Sequence, residues 1–163
     1  MANLTENFNY LQPTSFKLVI DRRNYPNLEF FCQNVTHPGM IMSSVEVPFR
    51  KVAGVPFPGD TLTFNELSTN IILDENMQGY DEMFAWMRRL LDTNMGNVTT
   101  QAISSYADIT LSILSSHNNT TKQVRYIDCI PTSLGDINFT STSGGTEFIT
   151  FNASFRFNYF ELV

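Results

Sequence analysis

His37 and His117 are the only histidines in a chain of 163 residues, and Cys32 and Cys129 are the only cysteines. Triad catalysis needs an imidazole beside a nucleophile, and a structural zinc needs four close Cys or His ligands. Neither supply exists here. His37 precedes Pro38-Gly39, His117 opens the polar turn His117-Asn118-Asn119-Thr120, and the cysteines lie 97 positions apart inside apolar, strand-like runs. The cysteines therefore read as buried free thiols. Asp74-Glu75 is the tightest carboxylate pair, but adjacent side chains at a strand-to-helix joint diverge, so capping suits them better than acid–base work. Gly54 and Gly59 have the spacing of phosphate-loop glycines, yet Asp60 replaces the lysine, and Pro56 and Pro58 remove backbone donors. Phe151, Phe155, Phe157 and Tyr159 could stack bases, but they share a face with Ile149 and Ala153 and read as core. The expectation is no catalytic residue, no cofactor and no metal.

Charge excludes further classes. Ten Lys and Arg against 16 Asp and Glu give a net charge of −6, and the densest positive points are the pairs Arg22-Arg23, Arg50-Lys51 and Arg88-Arg89. That is too little to grip DNA electrostatically. Charged residues make up 16% of the chain against a usual ~25%. Asn, Ser and Thr supply 46 of the 163 residues, so the surface must be largely neutral-polar, as suits a protein that covers its exterior with copies of itself. The first residues lack a signal-peptide pattern and no run reaches 18 apolar residues, so a non-membrane protein made in a cytoplasm is expected.

The elements that position these residues follow from periodicity. Phe16, Leu18 and Ile20 alternate with polar or outward positions, and after Asn24-Tyr25-Pro26-Asn27 a second strand is expected from near Leu28, carrying Phe30 and Cys32 and closing a hairpin. Val45, Val47 and Phe49 form another strand. The segment Gly54-Val55-Pro56-Phe57-Pro58-Gly59 reads as an extended loop or arm, because prolines cannot donate to a ladder. Thr61 to Phe64 and Asn70 to Leu73 resume strand character. Met77, Tyr80, Phe84, Met87 and Leu91 then fall at helical spacing, capped by Asp74 or Asn76, stopped at Gly96, with Trp86 off the main stripe. Ile109, Leu111 and Ile113 and the segment Lys122 to Cys129 predict a hairpin. Pro131 to Asp136 predicts a corner, Ile137-Asn138-Phe139 a short strand, and Ile149 to Tyr159 a closing strand. One mostly-β domain with a single helix results.

Taken in order, several landmarks resemble the tail tube protein family of contractile-tailed phages, related to the type VI secretion tube protein. They are Pro13-Thr14-Ser15-Phe16 leading into the first strand, Phe31-Cys32-Gln33 followed by Pro38-Gly39, Val47-Pro48-Phe49 before Val52-Ala53-Gly54, and Phe64-Asn65-Glu66-Leu67. Ile72-Leu73-Asp74-Glu75 before a helix with Trp86, the Pro131-Thr132 segment and the aromatic strand ending at Tyr159 complete the set. The Gly54 to Gly59 insert departs from the pattern.

The resemblance implies one tail-tube domain over 1–163, mostly β, with two packed antiparallel sheets forming a barrel-like body beside one flanking α-helix. It implies a structural virion protein assembled in the host cytoplasm, whose homo-hexameric rings stack into a hollow inner tube for DNA ejection. Tail sheath and baseplate or tube-cap proteins are the implied partners, with DNA in transit and not specifically bound. A tube initiator or cap of the same fold and a type VI-like tube protein remain alternatives, as does a monomeric β-barrel ligand-binding module. The residues expected to touch another subunit are Val52, Val55 and Phe57 in the arm from Val45 to Gly59. The competing possibility is that Phe57 folds back onto its own body.

Overall fold

The expected alternation of Phe16, Leu18 and Ile20 produces a real strand, β1 (Phe16–Ile20), which buries Leu18 and Ile20. In the computed structural model the described residues are 10–163 apart from 22, 31, 50–51, 95–103 and 142–147. Gly96, expected to stop the helix, lies outside the described residues.

The hairpin expected after β1 does not form. Pro26–Phe30 is a short helix, α1, and β2 (Cys32–Thr36) follows it. Pro26 supplies a φ pre-set for the first helical turn, and Asn24 and Tyr25 donate backbone hydrogen bonds to Asp21 O, turning the chain sharply. Leu28 then points into the core with no exposed surface. The Glu82 carboxylate accepts from Asn27 N at 3.2 Å and Asn27 Nδ2 at 2.7 Å, satisfying a donor that α1 leaves open.

β3 (Met40–Phe49) and β4 (Val52–Phe64) form a long two-stranded antiparallel ribbon. This corrects the loop expected at Gly54 to Gly59, which is strand throughout. The physical reason is that a ribbon strand has a partner on one side only. Pro56 and Pro58, opposite Glu46 and Ser44, have the same parity and turn their missing donors to the unpaired edge.

β5 (Leu67–Ile72) leads to helix α2 (Gln78–Asn94). Asp74 Oδ1 accepts from Gly79 N at 3.4 Å, the expected cap. The buried stripe is rotated from the expected one. Gly79, Met83, Trp86 and Leu90 face the core, while Phe84 and Leu91 are exposed. Trp86 is the centre of that face: it stacks on Tyr25 at 4.5 Å and its Nε1 donates to Ser105 O at 2.8 Å. A partner for the indole N–H lets the largest side chain be fully buried.

β6 (Ala107–Leu114) and β7 (Thr120–Leu134) form the expected hairpin. No corner occurs at Pro131, since β7 continues and Ile130–Leu134 pairs with β8 (Thr150–Arg156). Pro131 is tolerated because the register shifts by a bulge between Pro131 and Ser133. Residues 137–139 are not strand. The aromatic run does not stay one strand either: it breaks at Phe157-Asn158, where Asn158 bonds Ile127 O and Asp128 Oδ2, and resumes as β9 (Tyr159–Leu162) on the flank of β7.

Among the described residues the strands make two antiparallel sheets that share β7, with order β1-β6-β7-β9 and β7-β8-β5-β2, beside the β3–β4 ribbon. Among the described residues no closed barrel forms, and there are two helices instead of one. Both sheets contribute to a single core in which Leu18, Ile109 and Tyr126 join Leu67, Phe151, Phe155 and Trp86.

Candidate assembly surfaces

Cross-strand register decides which ribbon residues share a face. Val45 opposes Phe57 and Val47 opposes Val55, so four apolar side chains lie together on one face, with Ser44, Glu46, Pro56 and Pro58 on the other. All four are exposed: Val45 57%, Val47 45%, Val55 39% and Phe57 52%. Val52 pairs through its backbone with Phe49 near the ribbon tip. The ribbon is creased where Gly59 to Thr61 bulges against Ser43. A Cβ on Gly59 would lie 2.6 Å from Ser43 O, so only glycine fits this approach. At its base Phe64 packs on Phe157 and Phe160, with ring centroids 5.6 and 5.4 Å apart.

The sheet β7-β8-β5-β2 offers two further surfaces. One is its pair of edges. β2 bonds only to β5, and the side of Ile130–Leu134 away from β8 has no strand partner among the described residues. The other is its solvent face. Thr36, Ser68, Ser154 and Ser133 line up across four strands, and Asn34, Asn70 and Asn152 across three, giving one hydroxyl row and one carboxamide row. Ser68 Oγ donates to Asn152 Oδ1 at 3.1 Å and ties the rows together. The opposite face holds Leu67, Ile71, Phe151 and Phe155 and is covered by α2, with Tyr80 on Phe151 and Trp86 on Phe155. The sequence carries this pattern as Asn, Ser and Thr at alternate positions, a signal passed over because polar alternation looks like ordinary surface.

The reactive residue types are not brought together. His37 Nδ1 shares a 2.6 Å hydrogen bond with the Tyr126 hydroxyl, and its ring meets Phe160 edge-on. Burial lowers the His37 pKa and raises that of Tyr126. His117 lies in the β6–β7 turn, far along the chain from any carboxylate pair. Cys129 is fully buried, and Cys32, expected to be buried, is only partly so. Desolvation pushes both thiols up to about 12. Among the described residues no group of His, Cys, Asp or Glu could hold a metal ion, and no helix is long and apolar enough to cross a membrane.

The described residues thus present an exposed apolar ribbon and an open-edged sheet, with the reactive side chains scattered. The sequence profile of the phage tail tube protein family matches residues 4–162, and the chain belongs to that family. Its fold recurs in a chain of the PVC sheath-tube complex in the extended state, an extracellular contractile injection system. That chain gives a TM-score of 0.68 at 14% identity over 96% of this chain and 93% of that one. A chain of the structure of the anti-feeding prophage cap, the tube terminating cap, gives 0.68 at 12% over 99% and 95%. A chain of that prophage's baseplate gives 0.54 at 10% over 100% and 97%. No curated protein matches by sequence.

Proposed function

We propose that this chain, one tail-tube domain over its whole length, is the subunit of the inner tube of a contractile tail, closing into homo-hexameric rings that stack around a channel for DNA. The observation that carries the reading is the pair of open edges. β2, β5, β8 and β7 are antiparallel at every step, and four is an even number. A second copy that sets its β2 beside the free side of Ile130–Leu134 therefore continues the antiparallel order with two five-residue edges. Such head-to-tail contacts generate a ring when the rotation closes, and a ring removes edges that would otherwise aggregate.

The ribbon face formed by Val45, Val47, Val55 and Phe57 then rests on a neighbouring subunit or ring, and Val52 belongs to the same arm. The sheath and a baseplate or cap protein are the expected partners, in keeping with the sheath-tube, cap and baseplate origin of chains with this fold. Light scattering on the size-exclusion eluate tests the reading. A hexamer or larger species that grows with concentration supports it, and a strict monomer at all concentrations refutes it.

A second reading, a tube terminator, is suggested by the equal TM-score of 0.68 to a chain of the terminating-cap structure. A protein that forms single rings and never elongates, even when seeded with preformed tube fragments, would favour it.

A further inference from the structure

We infer that the β3–β4 ribbons of successive copies overlap like shingles, the Val45, Val47, Val55 and Phe57 face of one lying on a methionine-rich patch at the ribbon root of the next. This rests on the ring reading above and names the surface on which the ribbon comes to lie. Met40 pairs with Phe64 and Met42 with Leu62. Between these pairs and Ser44–Pro58 the crease holds one residue of β3 and three of β4, odd on both strands, so the alternation of faces is kept. Met40, Met42, Leu62 and Phe64 therefore lie on the side opposite Val45 and Phe57, leaving Ile41 with Thr63 on the other. Met40 is 55% exposed, Met42 60% and Leu62 43%, whereas Phe64 is half-buried against Phe157 and Phe160. The two apolar patches are centred at the levels of Ile41 and Glu46, about 17 Å apart at ~3.4 Å per residue.

Stability asks for cover on both sides. β3 and β4 run for 10 and 13 residues, pair with each other, and rest on the body at the root. A two-stranded ribbon alone is marginal in water, so one this long needs an apolar layer against each patch. A second copy of the chain supplies both layers through one kind of contact. Neither patch carries a charge, and flexible thioethers adapt to branched Val side chains and favour the edge of a ring such as Phe57. When one patch of a ribbon faces a partner the other faces away, so a two-fold pair cannot satisfy both. The contact is therefore heterologous, each copy giving one face and receiving another, in the same head-to-tail sense as the β2 and β7 edges.

The test mixes two variants in a Cys32→Ser background, one carrying Val55→Cys and the other Met42→Cys. A short bismaleimide added to the co-assembled mixture should join them as a covalent pair, and neither variant alone should yield pairs. Pairs from Val55→Cys alone would mean that like faces meet, and assembled rings without mixed pairs would mean that the ribbon rests elsewhere. Either result overturns the inference and leaves ring formation intact. Wild-type protein supplies an arm that needs no substitution. Brief peroxide treatment, read by peptide mass spectrometry, should oxidise Met40 and Met42 in free subunits and roughly tenfold or more slowly in assembled ones. Met83, which has no exposed surface, should be slow in both. Equal oxidation of Met40 and Met42 before and after assembly would contradict the covered patch. Failure of the wild type to assemble at any concentration would remove the ring reading and this one with it.

Discussion

Replacing Val55 and Phe57 together with Ser separates folding from assembly. In the single chain Phe57 keeps 52% and Val55 39% of its surface exposed, on a ribbon whose other contacts lie at its base. Fully burying a Val or Phe side chain contributes ~1.5–3 kcal/mol, so covering roughly half of each on association adds about 2 kcal/mol per subunit contact. That is roughly thirtyfold in the constant for each contact, repeated around a ring. The same change costs the isolated chain only the Val45–Phe57 and Val47–Val55 cross-strand pairs, roughly 0.2–1 kcal/mol each. Circular dichroism melts and negative-stain micrographs should therefore show a folded protein with nearly unchanged melting and few or no tubes. Unfolding would mean that Phe57 serves its own core, and normal tubes with normal melting would mean that the ribbon face contacts nothing.

Further predictions probe the scaffold. Gly59→Ala places a methyl against the Ser43 carbonyl and should distort the ribbon crease, shortening tubes with little effect on the core melt. Trp86→Phe loses the bond to Ser105 O and part of the stacking on Tyr25, and should lower stability by about 2 kcal/mol in urea titration. His37 has a depressed folded pKa, so the unfolded chain binds its proton more readily. Stability from this site is present above pH 6.5, its ordinary value, and is lost as pH falls below it. His37→Phe should flatten that part of the melting profile, and an unchanged slope would refute the assignment. With both thiols raised to about 12, native protein should react slowly with a thiol reagent, and rapid labelling of Cys129 would contradict its burial.

Periodicity revealed the elements whose two faces differ in polarity. β1, β5, β8 and the first part of β6 follow their alternation closely, because burial on one side leaves no freedom of register. It failed where pairing partners decide. Pro26 reads as a strand breaker and opens a helix. Pro56, Pro58 and Pro131 read as loop and sit in strands, because an unpaired edge or a bulge absorbs the missing donor. The stripe of α2 was misplaced by its exposed apolar residues, Phe84 and Leu91, which alone cannot be told from core. Val55 and Phe57 were legible as apolar residues in need of cover. Their alignment with Val45 and Val47, and the rows from Asn34 to Asn152 and from Thr36 to Ser133, depend on register between distant segments, which no local pattern encodes.

The central claim is that four strands of each copy continue into the next around a closed ring. Cryo-electron microscopy of the purified protein at high concentration tests it most directly. The account predicts sixfold rings or stacked tubes in which Cys32–Thr36 of one subunit lies antiparallel to Ile130–Leu134 of its neighbour. Rings joined through other surfaces, with both of these edges facing solvent, would contradict it.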